Sequence, residues 1–193
     1  MSLALQPRVF DIATSYRVLE QALRSARGMV ASRRSGQMSK AFMERIMLAV
    51  THVNGCRYCS YFHTGLALKE GMSQDEIHHL LSGDFADAPA AEAVALVFAE
   101  HYAETSGHYD AAAYQRVVME YGADMAGYIL AAIRMIMFGN VYGLMFDALQ
   151  SRLRGKPFPG SSFGQELGGV FGIVVFVPAI LINWILGRFR GNG

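Results

Sequence analysis

The chain has 193 residues, of which 52% are apolar and only 17% charged, and its net charge is +1. That length fits one domain with an appended segment and supports a sizeable core; the apolar excess points to a buried oligomer interface or a membrane contact. The basic residues are dispersed without a long run, which excludes the electrostatic footprint of a nucleic-acid-binding protein. Met1–Arg8 lacks the basic start and apolar run of a secretory signal, so the catalytic part is expected in the cytoplasm.

Ile12, Tyr16, Leu19 and Leu23 recur at helical spacing and predict a helix from about Val9 to Ala31, broken by Arg33-Arg34-Ser35-Gly36. Ser39 is a cap for a second helix through Phe42, Ile46, Met47 and Val50, which Asn54-Gly55 should end in a left-handed turn. A third helix begins near Cys56 and carries Leu66 and Leu68 to Gly71. Ser73-Gln74-Asp75-Glu76 reads as a capping box opening a short helix through Leu81. Pro89 opens the next helix, to about Thr105. Another spans Asp110 to Tyr121, and Gly122-Ala123-Asp124 turns into a long helix from Met125 to Leu153. No stretch sustains strict alternation, so the expected fold class is all-α.

Beyond Leu153 the composition changes. A Pro/Gly/Ser-rich stretch containing Lys156-Pro157-Phe158-Pro159-Gly160 divides a helical domain (1–153) from an apolar tail (167–190), with 154–166 as linker. Leu167 to Gly187 carries no charge, which meets the length of a membrane-spanning helix, and Trp184, Arg188 and Arg190 suit an interfacial end. The two readings are a membrane anchor and a tail packed across a partner subunit.

The chain's only cysteines lie in Cys56-Arg57-Tyr58-Cys59, with His63 four residues on and Glu44 twelve before. A disulfide across so short a loop forms and breaks without unfolding the chain, and in a reducing compartment such a pair is catalytic or metal-binding sooner than structural. If Cys59 and His63 share a helix, they lie one turn apart on one face, where the imidazole can relay the thiol proton. Cys56 falls at the helix start, where free N–H groups favour thiolate. Glu44, on the preceding antiparallel helix, can fold back beside them as a proton shuttle. His52 precedes Cys56 by four and is a further candidate for the relay. From residue chemistry alone three readings stay open: redox, a zinc site of two Cys, one His and one Glu, and an inert core pair.

The stretch from Glu44 through Cys56, Cys59 and His63 to Thr64 (a Glu, eleven residues, CxxC, three residues, His) resembles the signature of the alkylhydroperoxidase D branch of the carboxymuconolactone decarboxylase family. Gly71-Met72-Ser73-Gln74-Asp75-Glu76-Ile77 is similar to that family's continuation, and the resemblance runs from about Ser39 to Leu153. It implies an all-α homo-oligomer, often a trimer or hexamer, that reduces hydroperoxides without a bound cofactor or metal. It further implies that the peroxide attacks at Cys59, that Cys56, the more exposed, resolves the sulfenic acid, and that Glu44 and His63 relay protons. A dithiol, either a lipoyl group or a thioredoxin-like protein, would be the reductant. Tyr58 stands where the reference peroxidase has a histidine, so Tyr58 or His52 is the candidate second proton carrier. Decarboxylase members lack the CxxC, which argues against lactone decarboxylation. The alternatives are a general disulfide reductase and a redox-sensing oligomeric scaffold.

Elsewhere, His78 and His79 read as a solvated face, and His101 and His108 as cap or surface residues. Met135, Met137, Phe138, Tyr142, Met145 and Phe146 form a stripe read as core or subunit interface, with a hydrophobic pocket wall as the alternative. Asn140 is a polar intruder suited to a hydrogen bond across helices.

Overall fold

The computed structural model describes residues 7–190, with side chains to Gly187. Met1–Gln6, read above for a secretory signal, lie outside the described residues, as do the side chains of Arg188 and Arg190. The described residues form an all-α fold: α1 (Ile12–Ser35), α2 (Lys40–Asn54), α3 (Arg57–Lys69), α4 (Gln74–Leu80), α5 (Ala93–Glu104), α6 (Ala111–Leu153) and α7 (Phe163–Arg190). Among them there is no strand.

Most boundaries follow the local chemistry. Asp11 caps α1 by accepting from Thr14 N–H, and Gly36 ends it in the left-handed region (φ 65°). Ser39 accepts from Phe42 N–H at the start of α2. The capping box at Ser73 is only half formed: its hydroxyl takes the Glu76 N–H at 3.0 Å, but the Glu76 carboxylate turns to Arg45, 2.6 Å away. The reason is burial. Arg45 is 12% exposed and needs anions, and it takes Glu92 as well at 3.2 Å, stapling α2 to α4 and to the 3-10 turn Ala90–Glu92 that precedes α5. Burial pushes the Glu92 pKa up, with Arg45 opposing it.

α2 lies inside the bundle, with Leu48, Ala49 and Val50 at 0% exposure. It packs on α3, α4, α5 and α6, while α6 also runs against α1 and α7. The break expected at residues 122–124 is a kink in α6, at Gly122 (φ 78°, ψ 162°), and the helix resumes at once. The aromatic and methionine stripe divides by depth: Met137 and Met145 are buried, Met135, Phe138 and Tyr142 are partly buried, and Phe146 is exposed. Asn140 accepts from the Thr51 hydroxyl at 3.2 Å, joining α6 to α2.

α7 opens at Phe163, four residues before the uncharged run. The cause is polar and local. Ser162 and Gln165 form a reciprocal cap, and the Glu166 carboxylate, 2% exposed, receives the Arg152 guanidinium through two bonds of 2.7 and 2.9 Å. Ser161 donates to the same carboxylate at 2.6 Å. This cluster turns the chain back, so α7 lies along α1 and α6. Gly168 sits over Ile12 and Gly169 over Met145, where a side chain would collide.

The Arg152 hydrogen bonds hold the Glu166 pKa below the usual carboxylate range. The stabilisation is therefore complete above the ordinary glutamate pKa and is lost as pH falls through the depressed folded-state value. Glu166→Gln should loosen the docking of α7 at neutral pH, read as faster proteolysis within 154–162, and should flatten the acid dependence of that cleavage seen in the parent chain.

Candidate functional site

The site is built on the junction of α2 and α3. Gly55, at φ 71° and ψ 28°, ends α2 by giving its N–H to Thr51 C=O at 2.9 Å, a conformation that side chains disfavour. Cys56 follows in extended backbone and is the N-cap of α3: its sulfur accepts the Cys59 N–H at 3.3 Å. Cys56 and Cys59 are joined as a disulfide, with Cα atoms 5.3 Å apart. Three residues of first-turn helix bring the sulfurs together, so no distant part of the chain takes part.

His63 lies one helical turn beyond Cys59. Its Nδ1 is 2.7 Å from Glu44 Oε2, and the two side chains are only 13% and 10% exposed. The tight turn at Gly55 makes α2 and α3 neighbours and brings a carboxyl twelve residues before the first cysteine back to the imidazole. With Nδ1 turned to the carboxylate, Nε2 is the ring nitrogen that makes no contact with Glu44. A cleft of about 710 Å³, lined by Met43, Glu44, Leu66 and Glu70 among others, opens at the carboxyl end of this pair.

The expected order of exposure is reversed. Cys56 is 1% exposed, whereas Cys59 is half-buried. Cys56 occupies the N-cap, beneath the α2–α3 turn and against α6, while Cys59 has advanced one turn toward the outer face. Tyr58 does not join the Glu44–His63 pair; its hydroxyl donates to Gln150 at 2.8 Å. His52 also faces elsewhere, with Nδ1 2.9 Å from Leu81 C=O and Nε2 3.9 Å from Glu100. The zinc arrangement is not assembled: among the described residues no three His, Cys, Asp or Glu side chains are gathered as a metal site. His79 pairs with Asp87 on the surface, and His101 accepts weakly from the Asp110 N–H at 3.5 Å.

Three residues of α6 complete the surroundings, and the sequence reading passed over them. Gly143 lies under the disulfide: a Cβ there would sit 3.1 Å from the Cys56 sulfur and 3.4 Å from that of Cys59. Asp147, one turn on and 4% exposed, pairs with Arg57, and this hydrogen bond raises the Arg57 pKa. Gln150 holds Tyr58. Both residues inside the CxxC are thus clamped to α6, and Arg57 stacks its guanidinium 5.0 Å from the Tyr58 ring. The available signal was Gly143 itself, since a glycine inside a long helix costs about 1 kcal/mol against alanine and so marks a close approach.

Residues 18–101 match the model of the carboxymuconolactone decarboxylase family. The match begins within α1, covers α2, α3 and α4, and ends in α5 at His101. It starts earlier and stops sooner than the resemblance read from the motif, leaving α6 and α7 outside. The family includes alkylhydroperoxidase D-like proteins. No curated protein and no solved structure matches the chain.

Gly143→Ala should crowd both sulfurs, which the two intervening residues keep close together, and so favour the dithiol. The expected shift in the thiol–disulfide equilibrium is roughly 20–30 mV toward easier reduction, measured in glutathione redox buffers. Thermal stability should hold, because alanine favours the helix; an unchanged equilibrium would show that Gly143 does not contact the sulfurs in solution.

Proposed function

We propose that this protein is a CxxC thiol oxidoreductase that reduces hydroperoxides in the manner of alkylhydroperoxidase D. The observation that carries the proposal is the Glu44–His63 hydrogen bond one turn from Cys59. A structural disulfide needs no buried proton carrier beside it, and a peroxidase does, because the departing alkoxide must be protonated. The match of residues 18–101 to the carboxymuconolactone decarboxylase family model supports the same reading.

In the reduced enzyme, the Cys59 thiolate attacks the terminal oxygen of the hydroperoxide. The O–O bond breaks, the alkoxide takes a proton from the His63–Glu44 pair and leaves as alcohol, and Cys59 becomes a sulfenic acid. The Cys56 thiolate then attacks the Cys59 sulfur. The S–O bond breaks, hydroxide is protonated to water, and the disulfide forms. An external dithiol, a lipoyl group or a thioredoxin-like protein, supplies the two electrons that restore both thiols.

Burial changes the second half of this cycle. With Cys56 1% exposed, the reductant meets the Cys59 sulfur and expels Cys56 as the leaving thiolate. The N-cap position suits that role, because the Cys59 N–H and the α3 dipole stabilise the anion and a better leaving group departs faster. Beside the motif, Phe62, 60% exposed, packs edge-on against His63, and Phe146, 50% exposed, packs against Tyr58, which gives this surface an apolar rim. Such a rim suits an organic hydroperoxide and an acyl-chain dithiol. It also suits subunit contact, and assembly as a homo-oligomer belongs to this proposal.

The same half-buried Cys59 sulfur and fully buried leaving group favour a second reading, a disulfide reductase without peroxidase activity. Stopped-flow oxidation with cumene hydroperoxide separates the two. The proposal expects Cys59→Ser to abolish peroxide consumption and Cys56→Ser to allow one turnover ending in a trappable sulfenic acid. His63→Ala should slow oxidation by roughly 100-fold or more. Undiminished peroxide consumption by Cys59→Ser would end the peroxidase mechanism; exchange with dithiols but no peroxide reaction in the parent would establish the reductase.

A further inference from the structure

We infer that α7, docked as it is on the domain, lies in the plane of an anionic lipid bilayer and does not cross it. Its outward face is an uncharged stripe at helical spacing: Phe171, Val174, Val175, Ile182, Ile185 and Leu186 are 49–75% exposed. From Leu167 to Leu186 this stripe runs about 28 Å. Monomeric proteins rarely leave so continuous an apolar surface uncovered.

The opposite face of α7 is committed to the domain. Asn183 donates to the Tyr16 hydroxyl at 3.2 Å, Trp184 donates to Glu20 at 3.2 Å, and the Arg24 guanidinium lies 4.9 Å from the Trp184 ring. A membrane-spanning α7 would draw Glu20 and Arg24 into hydrocarbon or break all of these contacts, and either is costly. A helix lying along the headgroup boundary keeps them.

The charges beside the stripe identify the partner. α1 carries five arginines (Arg17, Arg24, Arg27, Arg33 and Arg34) against one carboxylate, Glu20. Arg24 and Arg27 line the groove that α1 forms with Asn183, Trp184 and Gly187, and Arg27 and Arg34 continue along α1 beside Val30. A basic rim next to an apolar band fits acyl chains and phosphates together. A second copy's stripe brings those arginines no anion, because the single acid of α7, Glu166, is buried under Arg152. Pro178 adds to the case. It is exposed on the same face and removes a helical hydrogen bond from the carbonyl four residues before it, which water or headgroups satisfy and a dry interface does not.

The test is flotation of the full chain with vesicles of phosphatidylcholine, with and without phosphatidylserine, followed by alkaline carbonate extraction. Binding should be roughly tenfold stronger to the anionic vesicles, fall with salt, and be released by carbonate. Val175→Glu with Ile182→Glu should abolish flotation, and Arg27→Glu with Arg34→Glu should remove the preference for anionic lipid. Both pairs are exposed, and unchanged circular dichroism melts would confirm that folding is intact. Three outcomes would overturn the inference: carbonate-resistant binding with residues 163–187 shielded from protease, which means a span; equal affinity for both vesicles; or no flotation together with self-association that the Val175/Ile182 variant dissolves, which gives the face to a second copy.

Discussion

The turn at Gly55 is the constraint on which the rest of the site depends. A left-handed residue there ends one helix and lets the next begin two residues later, so α2 and α3 pack as neighbours with no slack between them. That geometry carries the Glu44 carboxyl to His63 and leaves Cys56 in the half-helical position where its sulfur caps α3. Because α2 is enclosed by the core, with Leu48 to Val50 fully buried, the carboxyl it supplies is held by the packing of the whole bundle. The Glu44–His63 pair and the sulfurs are therefore positioned by one turn and one rigid helix, with no flexible loop between them.

Where local chemistry decides structure, the sequence was legible. The caps at Ser39 and Ser73 and the left-handed glycine at 55 each follow from one residue type acting on its immediate neighbours, while the turn read at 122–124 is a kink within one helix and the first helix runs on to Ser35. The meeting of Glu44 with His63 was legible through the family resemblance, and the tight turn at Gly55 supplies its physical reason. What escaped was long-range. The reversed exposure of the two cysteines depends on α6 covering Cys56, and nothing in the motif reports a helix almost ninety residues away. The contacts of Tyr58 with Gln150 and of Arg57 with Asp147 are of the same kind. His52 escaped for a different reason: it precedes the helical break, so its direction could not be extrapolated through Gly55.

α7 shows how an apolar run can mislead when read alone. Its composition matches a membrane span, and so does part of α6, which is simply the core of the bundle. The difference lies in the polar residues at the edges of the run. Glu166 with Arg152 at one end, and Asn183 and Trp184 with α1 at the other, tie the helix down along the domain. Its apolar character then becomes one-sided, buried on α1 and α6 and bare on the outside.

Gly143 has a consequence for motion as well as for space. Together with Gly139 it places two glycines one turn apart in α6, and such a pair weakens a helix by about 2 kcal/mol relative to alanines. The two glycines thus lower the intrinsic helix preference of α6 where it covers the sulfurs. Local opening of that turn gives Cys56 a short path to solvent, because Gly143 lies directly against its sulfur.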